Sequence, residues 1–180
     1  MRQLSLFTII PFLLVLLAGC APYAKDIRVE TELDPKANIS AYKSYAWLGD
    51  VSILNDPNEK WQPSGLDISS EIKFMVDREL RASGLHLSDD KPELAVSFLV
   101  GADMESMQLK ADPDSKLESL KNVPEAALVV ILIDVATENV IWIGKAEAEV
   151  QEGADQELVR KRIDYAITKM FKELNGKSWF

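Results

Sequence analysis

The chain has 180 residues, one cysteine, one histidine and a formal net charge of −9. Such an acidic surface is not drawn to phosphate backbones or anionic headgroups, so no nucleic acid partner is expected. A lone cysteine forms no intrachain disulfide, so a core must be held by packing, and the length is enough for one core of ordinary size.

The N-terminus reads as a secretory signal. Arg2 gives a basic start, and Leu4 to Leu17 is apolar apart from Ser5 and Thr8, with a break at Pro11. The run falls short of the about 20 apolar residues that span a bilayer. A charged start, an apolar middle and small residues at the cut are the layout of a signal peptide. The ending Leu17-Ala18-Gly19-Cys20 resembles the bacterial lipobox. The resemblance implies that residues 1–19 are removed between Gly19 and Cys20, that the Cys20 thiol takes a diacylglyceryl group, and that the new amine is acylated. Residues 20–26 then form a lipidated tether. More than one acyl chain gives stable anchoring. A plain signal with a chance cysteine, or a transmembrane helix, are the alternatives. Ala21 stands where Asp marks inner-membrane retention in the enterobacterial sorting rule. Resemblance to that rule implies the inner leaflet of the outer membrane, facing the periplasm. Loss of residues 1–19 removes only Arg2 among charged groups, so the remaining chain carries −10.

Ile27 to Leu33 alternates apolar and polar, the period of a half-buried strand, and Asp34-Pro35 breaks it. Tyr42 to Leu48 is aromatic-rich and predicts a second strand. Gly49 to Gly65 holds turn signals and Trp61. Leu66 to Ser83 predicts a helix, with Ile68, Ile72, Met75, Val76 and Leu80 on one face. Ser64 or Asp67 caps its start and Gly84 its end. Glu93 to Gly101 is apolar on both faces and predicts a central strand. Ala102 to Glu125 is a polar excursion containing Met104 and Met107. Residues 126–135 and 139–150 predict a hairpin. Val140, Trp142, Gly144, Ala146, Ala148 and Val150 share one face of its second arm, and Lys145, Glu147 and Glu149 the other. The small residues on the first face would let a helix approach closely. A last helix, about Asp155 to Leu174, presents Val159, Ile163, Ala166, Ile167, Met170 and Leu174, with Asn175-Gly176 ending it.

Strands and helices do not alternate one for one. The expected fold is therefore α+β: a mostly antiparallel sheet of about five strands with two helices on one face, in two layers, forming a single domain over residues 27–180.

Leu33-Asp34-Pro35 followed by Tyr42-Lys43-Ser44-Tyr45-Ala46-Trp47-Leu48 resembles the opening of domain-of-unknown-function family 4136, a group of bacterial lipoproteins. So do Lys91 to Phe98 after the Gly84-terminated helix, and Leu132-Ile133-Asp134, Thr137 and Val140 to Ala146 in the hairpin. Departures are Glu93 where Asp is usual, Ile143 within a usual Trp-Arg-Gly, and the Trp179-Phe180 end. The resemblance covers nearly all of residues 27–174. It implies the fold and an envelope location, and it carries no assigned active site.

Candidate chemistry is sparse. A general base or zinc site would need His86, which sits between Leu85 and Leu87 just after Gly84 and reads as a loop or strand-edge residue. Asp89-Asp90 and Asp112-Pro113-Asp114 lack calcium-loop spacing and read as solvated turns. No phosphate loop, nucleophile elbow or zinc-helix motif occurs. No enzyme, metal or cofactor is expected. Tyr42, Tyr45, Trp47 and Trp142 are either core or the lining of an apolar ligand pocket. Trp61, Met104 and Met107, apolar residues in long polar segments, are the candidate partner contacts. The leading expectation is a non-catalytic outer-membrane lipoprotein that contacts an envelope protein or polymer. The alternative is a periplasmic carrier or sensor holding a small apolar ligand between sheet and helices. A cavity behind Trp142 would favour the carrier. A flat apolar patch at Trp61 or at Ile141 and Ile143 would favour the partner surface.

Overall fold

The computed structural model describes residues 22–49, 65–102, 126–149, 151 and 153–177. Gly19, Cys20, Trp61, Met104, Met107 and the Asp112–Asp114 turn lie outside the described residues. Six strands form one sheet: Arg28–Leu33 (β1), Ser44–Trp47 (β2), His86–Leu87 (β3), Leu94–Ala102 (β4), Ala126–Asp134 (β5) and Val140–Ala148 (β6). Two helices accompany it, Ile68–Ala82 (α1) and Gln156–Lys177 (α2).

The strand order is β1-β6-β5-β4-β2-β3. β1 pairs antiparallel with β6, β6 with β5, and β5 with β4, while β2 runs parallel to both β4 and β3. The sheet is thus mixed and six-stranded, where the sequence predicts about five mostly antiparallel strands. The chain passes from β2 through α1 before reaching β4, and a helical crossover returns the chain to the sheet in the same direction. β3 has only two residues, too few to leave a period in the sequence. The α+β class itself holds.

Alternation places the core. Leu94, Val96, Phe98 and Val100 of β4 and Leu128, Val130 and Leu132 of β5 join Tyr45, Trp142 and residues of both helices in one buried cluster. Asp67 caps α1 by accepting from the Ser70 amide at 3.1 Å. Gly84, at φ 89°, closes α1 in the left-handed conformation, and the Leu85 amide bonds back to the Leu80 carbonyl at 3.0 Å. Asp77, on α1, accepts from the Tyr45 hydroxyl at 2.6 Å and from Trp47 Nε1 at 3.1 Å, tying the helix to β2. Burial, then the Asp77 carboxylate, pushes the Tyr45 hydroxyl well above its ordinary range. α2 runs through Asn175-Gly176 to Lys177 instead of stopping there. The Asn175 side chain accepts from Ser83 Oγ at 3.1 Å, so a tertiary contact holds a turn that local propensity would release.

The predicted face pattern of β6 needs one correction. Leu132 faces Trp142 but Ile133 faces Val140, so Ile141 is an extra residue, a bulge. The alternation slips by one residue there. Val140 is exposed, and Ile141, read as an outward patch residue, is buried in the core at 4% exposure. The Ile141 carbonyl accepts from the Asp34 amide at 2.9 Å.

Beyond the bulge, the close helix approach occurs at Gly144. A Cβ added there would lie 2.6 Å from the Trp142 ring and 3.0 Å from Met170 Sδ on α2. Gly144→Ala therefore overpacks a filled site, and we expect a loss of about 1–3 kcal/mol in denaturant unfolding. An unchanged midpoint would contradict this contact.

Candidate ligand pocket

β5 begins and β6 ends at the same end of the sheet, where Ala126 pairs with Ala148 and Leu128 with Ala146. The first turns of α2 bring Val159, Ile163 and Ala166 to this end. At the other end the layers are filled by Trp142, Met170, Phe171 and Leu174, all fully buried. Here Ala126, Ala127, Ala146, Ala148 and Ala166 stand among the aliphatic lining residues, and a cavity of about 480 Å³ remains. Ile27, the residue before β1, closes one wall, and Glu149, Gln151, Asp155 and Gln156 supply polar lining. The sequence pattern groups Gly144, Ala146 and Ala148 as a close-approach strip. That describes Gly144, whereas Ala146 and Ala148 line the cavity.

Arg162 stands at the pocket wall and is 8% exposed. Its guanidinium forms a fork on Asp26, Nη1 to Oδ1 at 2.9 Å and Nη2 to Oδ2 at 2.6 Å. It also donates to the Tyr23 carbonyl, and to the Glu149 carbonyl at 3.1 Å. The Glu149 amide in turn donates to Asp26 Oδ2 at 3.0 Å. The segment leading into β1, the end of β6 and α2 are thus held by one ion pair. The Arg162 hydrogen bond holds the Asp26 carboxyl below its ordinary range. Asp155 accepts from the Leu158 amide at 2.7 Å, capping the start of α2. The helix end nearest the pocket therefore already carries its negative charge.

None of the aromatic residues weighed as pocket lining reaches this site. Tyr45 and Trp142 are fully buried core, and Trp47 packs edge-on against Phe98 with ring centroids 5.8 Å apart. Tyr42 donates to Asp134 at 2.7 Å, and burial together with that carboxylate pushes its hydroxyl up to about 12. His86 is exposed on the edge strand β3, and Asp89 and Asp90 are exposed in the bend after it. Among the described residues no group of three histidine, cysteine or acidic side chains could hold a metal ion. The sequence reading missed Arg162 and Asp26. They are 136 positions apart, so no local pattern pairs them. Its place between Val159 and Ile163, on the core stripe, was the available signal.

A family model described as a domain of unknown function, DUF4136, matches residues 29–174. The chain belongs to the DUF4136 family. A solved DUF4136 family protein from Bacteroides thetaiotaomicron has a similar fold, with a TM-score of 0.57 at 11% identity, over 80% of this chain and 95% of that one. A PelC dodecamer subunit from Paraburkholderia phytofirmans matches 82% of this chain and 96% of its own with a TM-score of 0.46 at 18% identity. Protein HflK of Vibrio cholerae is 25% identical over 138 residues, 73% of this chain. The chain spans about a third of the length of that curated relative, 33%. Of the residues that carry the DUF4136 resemblance, Ala146 lines the pocket, while Asp134 and Glu93 hold backbone away from it. Asp134 accepts from Tyr42 and from the Thr137 amide at 2.9 Å. Glu93, in place of the usual Asp, still accepts from the Lys43 and Ser44 amides at the start of β2.

Proposed function

We propose that this chain is a lipid-anchored envelope protein whose folded part works by binding and not by catalysis, holding an apolar ligand in the pocket beside α2. The observation that carries this reading is the pocket itself: about 480 Å³ between sheet and helix. Its volume lies within the roughly 300–1,000 Å³ of small-molecule sites. The lipobox-like ending at Cys20 and the DUF4136 membership support the anchor. By the same sorting rule the anchor lies in the inner leaflet of the outer membrane and the domain faces the periplasm. Among the described residues no helix is long and apolar enough to cross a membrane.

A second reading, contact with an envelope protein, draws on the sheet face turned away from the helices. Leu99, Ile131, Ile133 and Ile143 are partly exposed and stand outside the core cluster. Photo-crosslinkers at Trp61, Met107 and Ile143 in cells would capture a defined envelope component on this reading.

The anchor is tested by Cys20→Ser. The parent should fractionate with membranes at mature size, and the variant should remain uncleaved or become soluble. Membrane fractionation of the variant at mature size would remove the anchor from the proposal.

A further inference from the structure

The pocket's own chemistry narrows what it holds. Its interior wall is aliphatic: Ile27, Leu128, Ala146, Val159, Ile163 and Ala166. Arg162 is the cation among the described lining residues; both of its Nη groups are engaged, on Asp26 and on two backbone carbonyls, and its charge is paired with Asp26. The start of α2, where an anion would otherwise settle, is occupied by the Asp155 carboxylate. Glu149 adds a second acidic lining residue. A ligand with an anionic head would meet like charges without a free counter-charge, and that arrangement selects against it. A ligand rich in buried polar atoms would find few partners on aliphatic walls.

Location adds a second argument. The segment that leads back toward Cys20 is fixed at this wall. Tyr23 packs edge-on against Tyr165 of α2 with ring centroids 6.4 Å apart, and Asp26 is held by Arg162. Cys20 precedes Pro22 by two residues, and each residue of extended chain spans at most about 3.6 Å. A lipid on Cys20 would therefore bring the pocket close to a bilayer surface. This step rests on the anchor reading given above.

We propose that the pocket binds an acyl chain joined through an ester or amide, so that the end nearest Glu149 and Asp155 carries no carboxylate. Two sources supply that chemistry: the protein's own N-terminal acyl groups, or a lipid of the surrounding leaflet.

Two measurements test the proposal. In the first, the full chain with Cys20→Ser, purified in soluble form, is titrated with a pyrene-labelled monoacylglycerol and then competed with monolaurin or laurate below their micellar concentrations. Monolaurin should compete roughly tenfold better than laurate, a difference of about 1.4 kcal/mol. Ala146→Leu or Ala148→Leu, whichever melts as the parent does, should weaken probe binding by a similar factor. Equal competition by laurate, or parent-like binding in a folded filled variant, overturns the proposal. The comparison of competitors on the parent pocket needs no variant to fold.

In the second, a benzophenone amino acid replaces Val159 in cells making the full chain with Cys20 intact. Irradiation should give an adduct. Linkage to the chain's own acylated N-terminal peptide identifies the anchor as the source, and an adduct with a phospholipid identifies the leaflet. If neither forms while the intact mass confirms acylation of Cys20, the acyl-pocket proposal fails and the anchor reading stands.

Discussion

Trp142→Ala should destabilise the protein by about 3–5 kcal/mol, the range for deleting a buried large aromatic. Trp142 is 1% exposed, pairs across β5 with Leu132 and across β1 with Leu33, and lies 5.2 Å from Phe171 between ring centroids. Its removal opens a void at the filled end of the two layers, where Met170, Phe171 and Leu174 are too well packed to collapse fully. Chemical denaturation of the purified domain reads the effect. A midpoint close to the parent's would mean that Trp142 does not pack beneath α2. Trp142→Phe, which keeps most of the volume, should lose much less. Among the described residues, Trp142 Nε1 is the buried side-chain atom with no hydrogen-bond partner. The phenyl ring therefore forfeits no polar contact.

Arg162→Ala should cost about 2 kcal/mol, because it strips the counter-charge from a partly buried carboxylate. The Arg162 and Asp26 side chains are 10% and 21% exposed, so solvent screens the pair only in part. Breaking it also leaves the Tyr23 and Glu149 carbonyls without their donor. Arg162→Lys should recover part of the loss, since an ammonium keeps the charge but not the two-pronged geometry. The pH dependence follows from linkage. The folded-state pKa of Asp26 is depressed, so its contribution is fully present above the unfolded value of about 3.9 and is lost as pH falls through the folded value. The gap in stability between parent and Arg162→Ala should therefore be constant near neutrality and narrow below about pH 4. A gap that persists unchanged into acid would show that the effect is packing alone.

Local periodicity made most of the elements legible. β1 shows inward Val29, Thr31 and Leu33 against outward Arg28, Glu30 and Glu32, and the α1 stripe at Ile68, Ile72, Met75, Val76 and Leu80 is the buried face. β4, apolar on both faces, lies between β5 and β2. What escaped was set by tertiary structure. The bulge at Ile141 depends on how β6 meets β5, and a residue inserted into a ladder leaves no mark in an alternating pattern. The parallel pairing of β2 with β4 is implicit in the helix between them, but only the hairpin at β5 and β6 has a local turn signal. The pocket was half legible. Ala146 and Ala148 were visible as small residues on an apolar face, yet small residues mean close packing or empty space depending on what stands opposite. Ala166 of α2 lines the same cavity as Ala146 and Ala148, whereas Met170 of α2 meets Gly144. The pinning of Arg162 by Asp26 spans almost the whole domain and has no local signature.

The anchor at Cys20 is the premise that places the pocket beside a membrane. Mass spectrometry of the N-terminal peptide of the protein extracted from cell membranes tests it most directly. The predicted result is a chain that begins at Cys20, with a diacylglyceryl group on sulfur and a further acyl group on the amine. A chain that retains residues 1–19, or one cut at Cys20 with no lipid attached, would contradict it.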